Sequence, residues 1–399
     1  MSKVGKFMKK IVSLLLTSAL VMGSLAGCNS GNSASTGAAS TGGTSAAAAG
    51  GSFKVAVAGP LTGDNAEYGN GFKNAVELMA AKYNAAGGVL GKQIEVVAYD
   101  DKGTGEEAAS VAQKIASDKS IVGVIGHFSS GACMAATPTY QENSIVNISP
   151  SASHPDYTKE GNFIFRNNTV ITTEAGEAVG LAVKSLGKKK IGMISIKTDW
   201  GTSTAKVVKQ IIKDTYESQG IELVASEEVV EGSDDYTPNI TKLKDAGAEV
   251  IICCSMYNTL APFAKQYKQV NPDIQIVGFS NAYSQQLIKL GGAAVEGVMF
   301  PTIFFHESKD EKVQAFVKEY EGKYTTAPSS LTAQAYDSMG ILLEAIKAAG
   351  SLDRNAIRDQ VAKSSYEGVT GLTKFDDNRN AIKVFKHAKV SNGAFTQVD

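Results

Sequence analysis

Between residues 53 and 300 short β-rich runs alternate with segments of helical periodicity, and no other feature of the chain constrains its fold as tightly. The strand-like runs are 53–58, 93–100, 121–125, 145–148, 191–196, 222–229, 250–254, 275–279 and 297–300. Helical patterns fill the gaps at 71–84, 106–118, 202–219, 236–246 and 260–270, and Gly87-Gly88 and Gly220 supply stops. Strands alternating with helices of ~10–15 residues imply parallel sheets covered on both faces. The strands are too many for one such sheet, so an α/β fold of two doubly wound lobes is expected. Beyond Phe300 the pattern turns helical (309–320, 331–349, 353–362). It closes with β-like runs at 371–375 and 383–390 around the turn-rich 376–380.

The N-terminal segment has a different character. Lys3, Lys6, Lys9 and Lys10 precede an apolar run at 11–26, which ends in Leu25-Ala26-Gly27-Cys28. A basic start, a short apolar stretch and small terminal residues read as a secretory signal over 1–27. The run is shorter than the ~20 residues a spanning helix needs. The Leu-Ala-Gly-Cys tetrad resembles a bacterial lipobox, which implies acylation of Cys28 and an extracytoplasmic, membrane-anchored protein. Residues 28–52 are mostly Ser, Gly, Ala and Thr, a flexible leash whose typical reach is on the order of 25–30 Å.

Composition excludes several classes. Removing the four-lysine leader takes the formal charge from −1 to −5, which argues against nucleic acid as a partner. Cys133, Cys253 and Cys254 are an odd set, poor for disulfides, and are expected to pack as small hydrophobes. The four histidines show no ligand spacing, so no metal and no cofactor is expected.

Enzyme-like strings fail on physical grounds. Gly103-Thr104-Gly105-Glu106-Glu107-Ala108 would set two carboxylates where a pyrophosphate must meet a helix N-terminus. Gly88-Val89-Leu90-Gly91-Lys92 is too short for a phosphate loop and precedes a strand. His127-Phe128-Ser129-Ser130-Gly131 lacks the first glycine of a nucleophile elbow. No enzyme is expected. Two loops suit a small anion better. Residues 126–131 follow a strand and open a helix, and 149–153 follow the next strand. Ligands of open α/β sheets bind at the carboxyl ends of strands. Tyr68, Trp200 and Tyr257 also approach strand ends, where an aromatic ring serves a pocket or a core equally well.

Taken together, Gly59-Pro60-Leu61-Thr62-Gly63, Tyr68-Gly69, Ile125-Gly126-His127-Phe128-Ser129-Ser130, Ile148-Ser149-Pro150-Ser151-Ala152-Ser153, Phe165-Arg166, Asp199-Trp200-Gly201, Glu296-Gly297-Val298 and Ala335-Tyr336-Asp337 carry a resemblance. In this order they resemble the branched-chain amino-acid-type (Leu/Ile/Val-binding) solute-binding proteins of ABC importers, over nearly the whole chain after the leash. The resemblance implies a type I periplasmic-binding-protein fold joined by three hinge crossovers, near 166–172, 299–302 and 368–374. Residues 53–168 plus 302–370 would form one lobe and 169–301 plus 371–399 the other. It implies that the ligand carboxylate meets Ser129, Ser130 and Gly131. Ala152 and Ser153 would contact the amino-acid head, and Tyr68, Trp200 and Tyr257 would surround the ligand.

One departure stands out. Amino-acid binders of this kind place an acid just after the strand matching 275–279. Here the loop carries Ser280 and Asn281 without an acid, so either Glu67, another acid, or hydroxyls and carbonyls meet the ligand ammonium, or the ligand has none. The expected function is a monomeric, lipid-anchored solute-binding component that captures a branched-chain or related amino acid for a membrane permease. The alternatives are a tethered ligand-sensing domain and a binder of a non-amino-acid carboxylate or amide.

Overall fold

The computed structural model describes residues 50–398. The leader, Cys28 and the leash up to residue 49 lie outside the described residues. Two parallel sheets carry the architecture. The first contains β1 (Ser52–Gly59), β2 (Gln93–Asp100), β3 (Ile121–Ile125), β4 (Val146–Ser149) and β5 (Ile164–Arg166), in the order β2-β1-β3-β4-β5. The second is built on β6 (Lys190–Ile196), β7 (Glu222–Val229), β8 (Val250–Cys254), β9 (Gln275–Val277) and β10 (Met299–Thr302). A third, small sheet joins β11 (Ser365–Gly368), β12 (Gly371–Phe375) and β13 (Ala381–Ile382). The chain closes with the hairpin of β14 (Lys386–Ser391) and β15 (Ala394–Val398), which extends the second sheet to β15-β14-β10-β9-β8-β6-β7.

Both parallel sheets follow one winding rule. Chain order 2-1-3-4-5 puts a switch point between β1 and β3 in the first, and β6 and β8 repeat that relation in the second. All residues of β3 and β8 are buried, as strands covered on both faces require, and they read as continuous apolar runs. Cys133, Cys253 and Cys254 are buried and unpaired, packing as expected. Among the described residues no helix is long and apolar enough to cross a membrane.

The last crossover differs from expectation. Residues 368–374 lie inside the small sheet, which stays with β5: the Arg166 N–H donates to the Arg379 carbonyl, and Phe375 packs edge-on against Phe165. The chain enters the second sheet only at Lys386. Turn chemistry at 376–380 marked this stretch as a connection, but the pairing of β12 with β11 and β13 is non-local and invisible to periodicity.

The helix Ser330–Ala349, capped by Ser329, anchors the crossovers. The fully buried Gln334 side chain donates to the carbonyls of Pro150 (2.6 Å) and Asn167 (3.0 Å), while Asn167 Nδ2 donates to the Gln334 carbonyl (2.9 Å). One turn on, buried Asp337 accepts the N–H groups of Val369 (2.9 Å) and Thr370 (2.8 Å) and the Thr370 hydroxyl (2.5 Å). Lys383 donates to the hydroxyls of Thr370 and Thr373. Burial raises the Asp337 carboxyl, opposed by the Lys383 charge, and lowers Lys383 to about 8.

Asp337→Ala strands two backbone donors and a buried ammonium, and breaking such a cluster costs about 3–5 kcal/mol. Chemical denaturation is expected to show that loss, against a change under about 0.5 kcal/mol for Asp359→Ala on an exposed helix face.

Candidate functional site

The carboxyl ends of both parallel sheets converge on one cleft, where the loops after β3, β4, β6, β8 and β9 meet. At the first of these, Ser129 caps the helix Ser130–Glu142, its hydroxyl accepting the Ala132 N–H at 3.2 Å. The Ser130 and Gly131 N–H groups belong to the first turn of that helix, which leaves them without intrahelical acceptors. The Ser130 hydroxyl is buried and has no hydrogen-bond partner. Free donors on a helix N-terminus make a carboxylate cradle. Ser151 ties the neighbouring loop to it, its hydroxyl donating to the Phe128 carbonyl at 2.6 Å.

From the opposite lobe come Trp200, in the first turn of Asp199–Ile211, and Met256, which precedes the helix Tyr257–Val270. Ser280 and Asn281 follow β9. Together these groups enclose a cavity of about 360 Å³ lined by Phe128, Ser129, Ser130, Ser151, Ser153, Asn168, Glu174, Trp200, Met256, Ser280, Asn281 and Leu331. Only about 20 Å³ of it admits the centre of a water molecule, so the lobes are shut on each other. A roomier groove at Lys82, Phe316 and Tyr366 is open to solvent and formed by one side of the molecule alone.

Among the described residues, hydrogen bonds span the shut cleft. Tyr68 donates to the Asn281 carbonyl (2.7 Å), Trp200 Nε1 to the Ser153 hydroxyl (3.0 Å), Ser284 to Glu67 (2.5 Å) and Asn65 to Glu231 (3.3 Å). Burial raises the carboxyls of Glu67 and Glu231 above the usual range, against the donors of Ser284 and Tyr257 in the first case and of Asn65 and Asn258 in the second.

Of the residues expected at a site from sequence, Ser129, Ser130, Ser153, Trp200, Ser280 and Asn281 line the cavity. The other four stand behind it or beside it. Gly131 lines the cleft mouth with Asp199 and Glu231. Ala152 is fully buried; its carbonyl accepts Arg166 Nη1 (3.3 Å) and its N–H goes to Ser149. Tyr68 stacks on Phe128, ring centroids 4.3 Å apart, and Tyr257 tilts against Tyr68 at 5.5 Å.

His127 is turned away from the serines and is wholly buried, with Nδ1 at 2.6 Å from Asp101 and Nε2 at 2.8 Å from the Tyr140 hydroxyl. It therefore gives Ser130 no base. Sequence reasoning missed Phe128, Ser151, Asn168, Met256 and Leu331, whose residue types are indistinguishable from core or loop. It also missed Glu174, for which a signal existed. Glu174 shares a helical stripe with Ile171, Ala175 and Ala178, all buried, and an acid in such a stripe is anomalous. Its Oε1 accepts the Ser280 N–H at 2.6 Å, and burial pushes its carboxyl up to about 7 against the pull of Ser280.

A family model described as periplasmic binding protein matches residues 52–399. The leucine-, isoleucine-, valine-, threonine- and alanine-binding protein of Pseudomonas aeruginosa is 29% identical over 328 residues, 81% of this chain and 86% of that protein. Among solved structures, the branched-chain amino acid transporter substrate-binding protein of Streptococcus pneumoniae, in complex with isoleucine, is 28% identical with a TM-score of 0.80, covering 87% of this chain and 99% of that one. A leucine-binding protein from Thermotoga maritima is 25% identical with a TM-score of 0.79, covering 87% and 98%.

Trp200 is the only tryptophan, and in the shut cleft its indole is 7% exposed. Saturating solute is expected to shift its emission to the blue; an unchanged spectrum places Trp200 outside the moving interface. Tyr68→Phe leaves the Asn281 carbonyl unsatisfied in the shut form and weakens solute binding by about 1–3 kcal/mol in a titration.

Proposed function

The chain belongs to the periplasmic binding protein family, and on that premise we propose that it is the extracytoplasmic solute-binding component of an ABC importer, taking a branched-chain or related amino acid. The observation that carries this reading is the cavity shut between two lobes, with a carboxylate cradle on one wall. The Ser130 and Gly131 N–H groups and the Ser130 hydroxyl would hold the ligand carboxylate. Phe128, Trp200, Met256 and Leu331 supply apolar surface for a side chain. Both nitrogens of His127 are engaged elsewhere, so His127 offers the serines no general base, in keeping with a site that binds without turnover.

Binding works by population. The open form admits the solute, and contacts from both lobes, available only on closure, favour the shut form. Because the shut cavity here is tight, an occupant holds the lobes further apart than in this structure. The closed clamp is then presented to a membrane permease. Acylation of Cys28 and the leash after it would keep the monomeric clamp beside that permease.

A second reading, a binder of a carboxylate without an ammonium group, is favoured by the loop after β9, which contains no acid. Titrating the mature protein with leucine, isoleucine, valine, alanine, threonine and aromatic or short-chain acids separates the two. A ligand at ~100 Kd is expected to raise stability by roughly 2.7 kcal/mol in thermal unfolding. If only non-amino acids do so, the amino-acid reading fails. Cys28→Ala is expected to move the protein from the detergent phase to the aqueous phase on Triton X-114 partition; retention in the detergent phase would remove the anchor from this account.

A further inference from the structure

The acid missing from the loop after β9 has a substitute in the fold. We infer that Glu174 is the counter-charge that makes this site selective for solutes bearing an ammonium group, supplied from the helix that follows the first crossover. This rests on the amino-acid reading above and assigns the group that decides it.

Among the described residues Glu174 is the only acid lining the enclosed cavity. Its carboxylate docks on the loop where an acid was expected, through the Ser280 N–H, so the charge reaches that wall from another element. Oε1 is thereby held on that loop, and the carboxylate lines the cavity. Asn281, which lines the same cavity, has its Oδ1 buried without a partner. An ammonium carries three donors and no acceptor, which suits a carboxylate and an unfilled amide oxygen. A ligand with only a carboxylate would meet an uncompensated acid there instead.

The other acids near the cleft are placed differently. Glu67 is held by Ser284 and does not line the cavity, while Asp199 and Glu231 border the cleft mouth. Glu174 is also tied to the carboxylate-binding side. The Ile171 N–H donates to the Ser153 carbonyl (3.0 Å), and Asn168 Nδ2 to the Ser151 carbonyl (2.8 Å), one turn before it. In the shut structure the crossover thus brings Glu174 to the loop that carries Ser151 and Ser153.

Matched pairs test this: L-leucine against 4-methylpentanoate, and L-alanine against propanoate, titrated calorimetrically into the full mature protein and into Glu174→Gln. The wild type is expected to prefer the amino acid of a pair by about a hundredfold or more, and Glu174→Gln to lose most of that preference. A preference retained in Glu174→Gln, or an acid bound as tightly as its amino analogue, overturns the inference. Leucine or alanine binding that is indifferent to Glu174 overturns it alone. Failure of every amino acid to bind the wild type overturns the proposed function with it.

Discussion

Strands buried on both faces leave polar chemistry only one place to go, the ends of the sheet. β3 and β8 are apolar throughout, so most donors and acceptors that can meet a solute sit in the turns beyond the carboxyl ends of the sheet strands, with Asn168 and Glu174 added from the crossover and the helix after it. Each such turn opens a helix, and the first turn of a helix brings unpaired N–H groups with it. The cleft is thus ringed by the starts of the helices Ser130–Glu142, Asp199–Ile211 and Tyr257–Val270. A binding site for a small anion follows from the winding of the sheets before any particular side chain is chosen.

The moving parts are held by polar groups buried far from solvent. Gln334 fixes both the loop at Pro150 and the crossover at Asn167, and Asp337 holds the start of β12 through Val369 and Thr370. Both residues lie on the helix Ser330–Ala349, so one rigid element references the loop at Pro150, the first crossover and the small sheet at once. Such groups stabilise only when fully satisfied, which makes them sensitive to single changes. Arg166 extends this scaffold toward the site: its buried guanidinium donates to the Ala152 carbonyl and lies over the Tyr157 ring.

What could be read from sequence follows the same physics. The βα rhythm exposed the parallel sheets and the strand-end loops that carry Ser129, Ser130, Ser153 and Trp200, and the family resemblance pointed to Ser280 and Asn281; all six line the cavity. Tyr68 and Tyr257, expected around a ligand, do not line the shut cavity; from sequence a ring at a strand end looks the same whether it lines a cavity or supports the residue that does. Phe128 shows the reverse error: it lines the cavity and Tyr68 stacks behind it. The hairpin order of β11, β12 and β13 depends on long-range pairing that no local pattern encodes. Glu174 was legible only as an acid on the wrong face of an amphipathic helix.

The shut form is held by few interactions, and several oppose themselves. A typical hydrogen bond contributes about 0.5–1.5 kcal/mol net, so those across the cleft amount to a modest sum. Two of those bonds end on Glu67 and Glu231, whose carboxyls lose water as the lobes meet and are pushed toward protonation. Glu174 is buried on the same interface with no cation beside it. Closure of the empty clamp therefore gains contacts while it desolvates acids, and the two effects are of similar size. An occupant that satisfies Ser130, Asn281 and Glu174 together removes part of the cost and adds contacts that exist only when the lobes meet. Differential affinity of that kind moves such an equilibrium, so the polar wall of the cavity decides both what is held and whether the clamp stays shut.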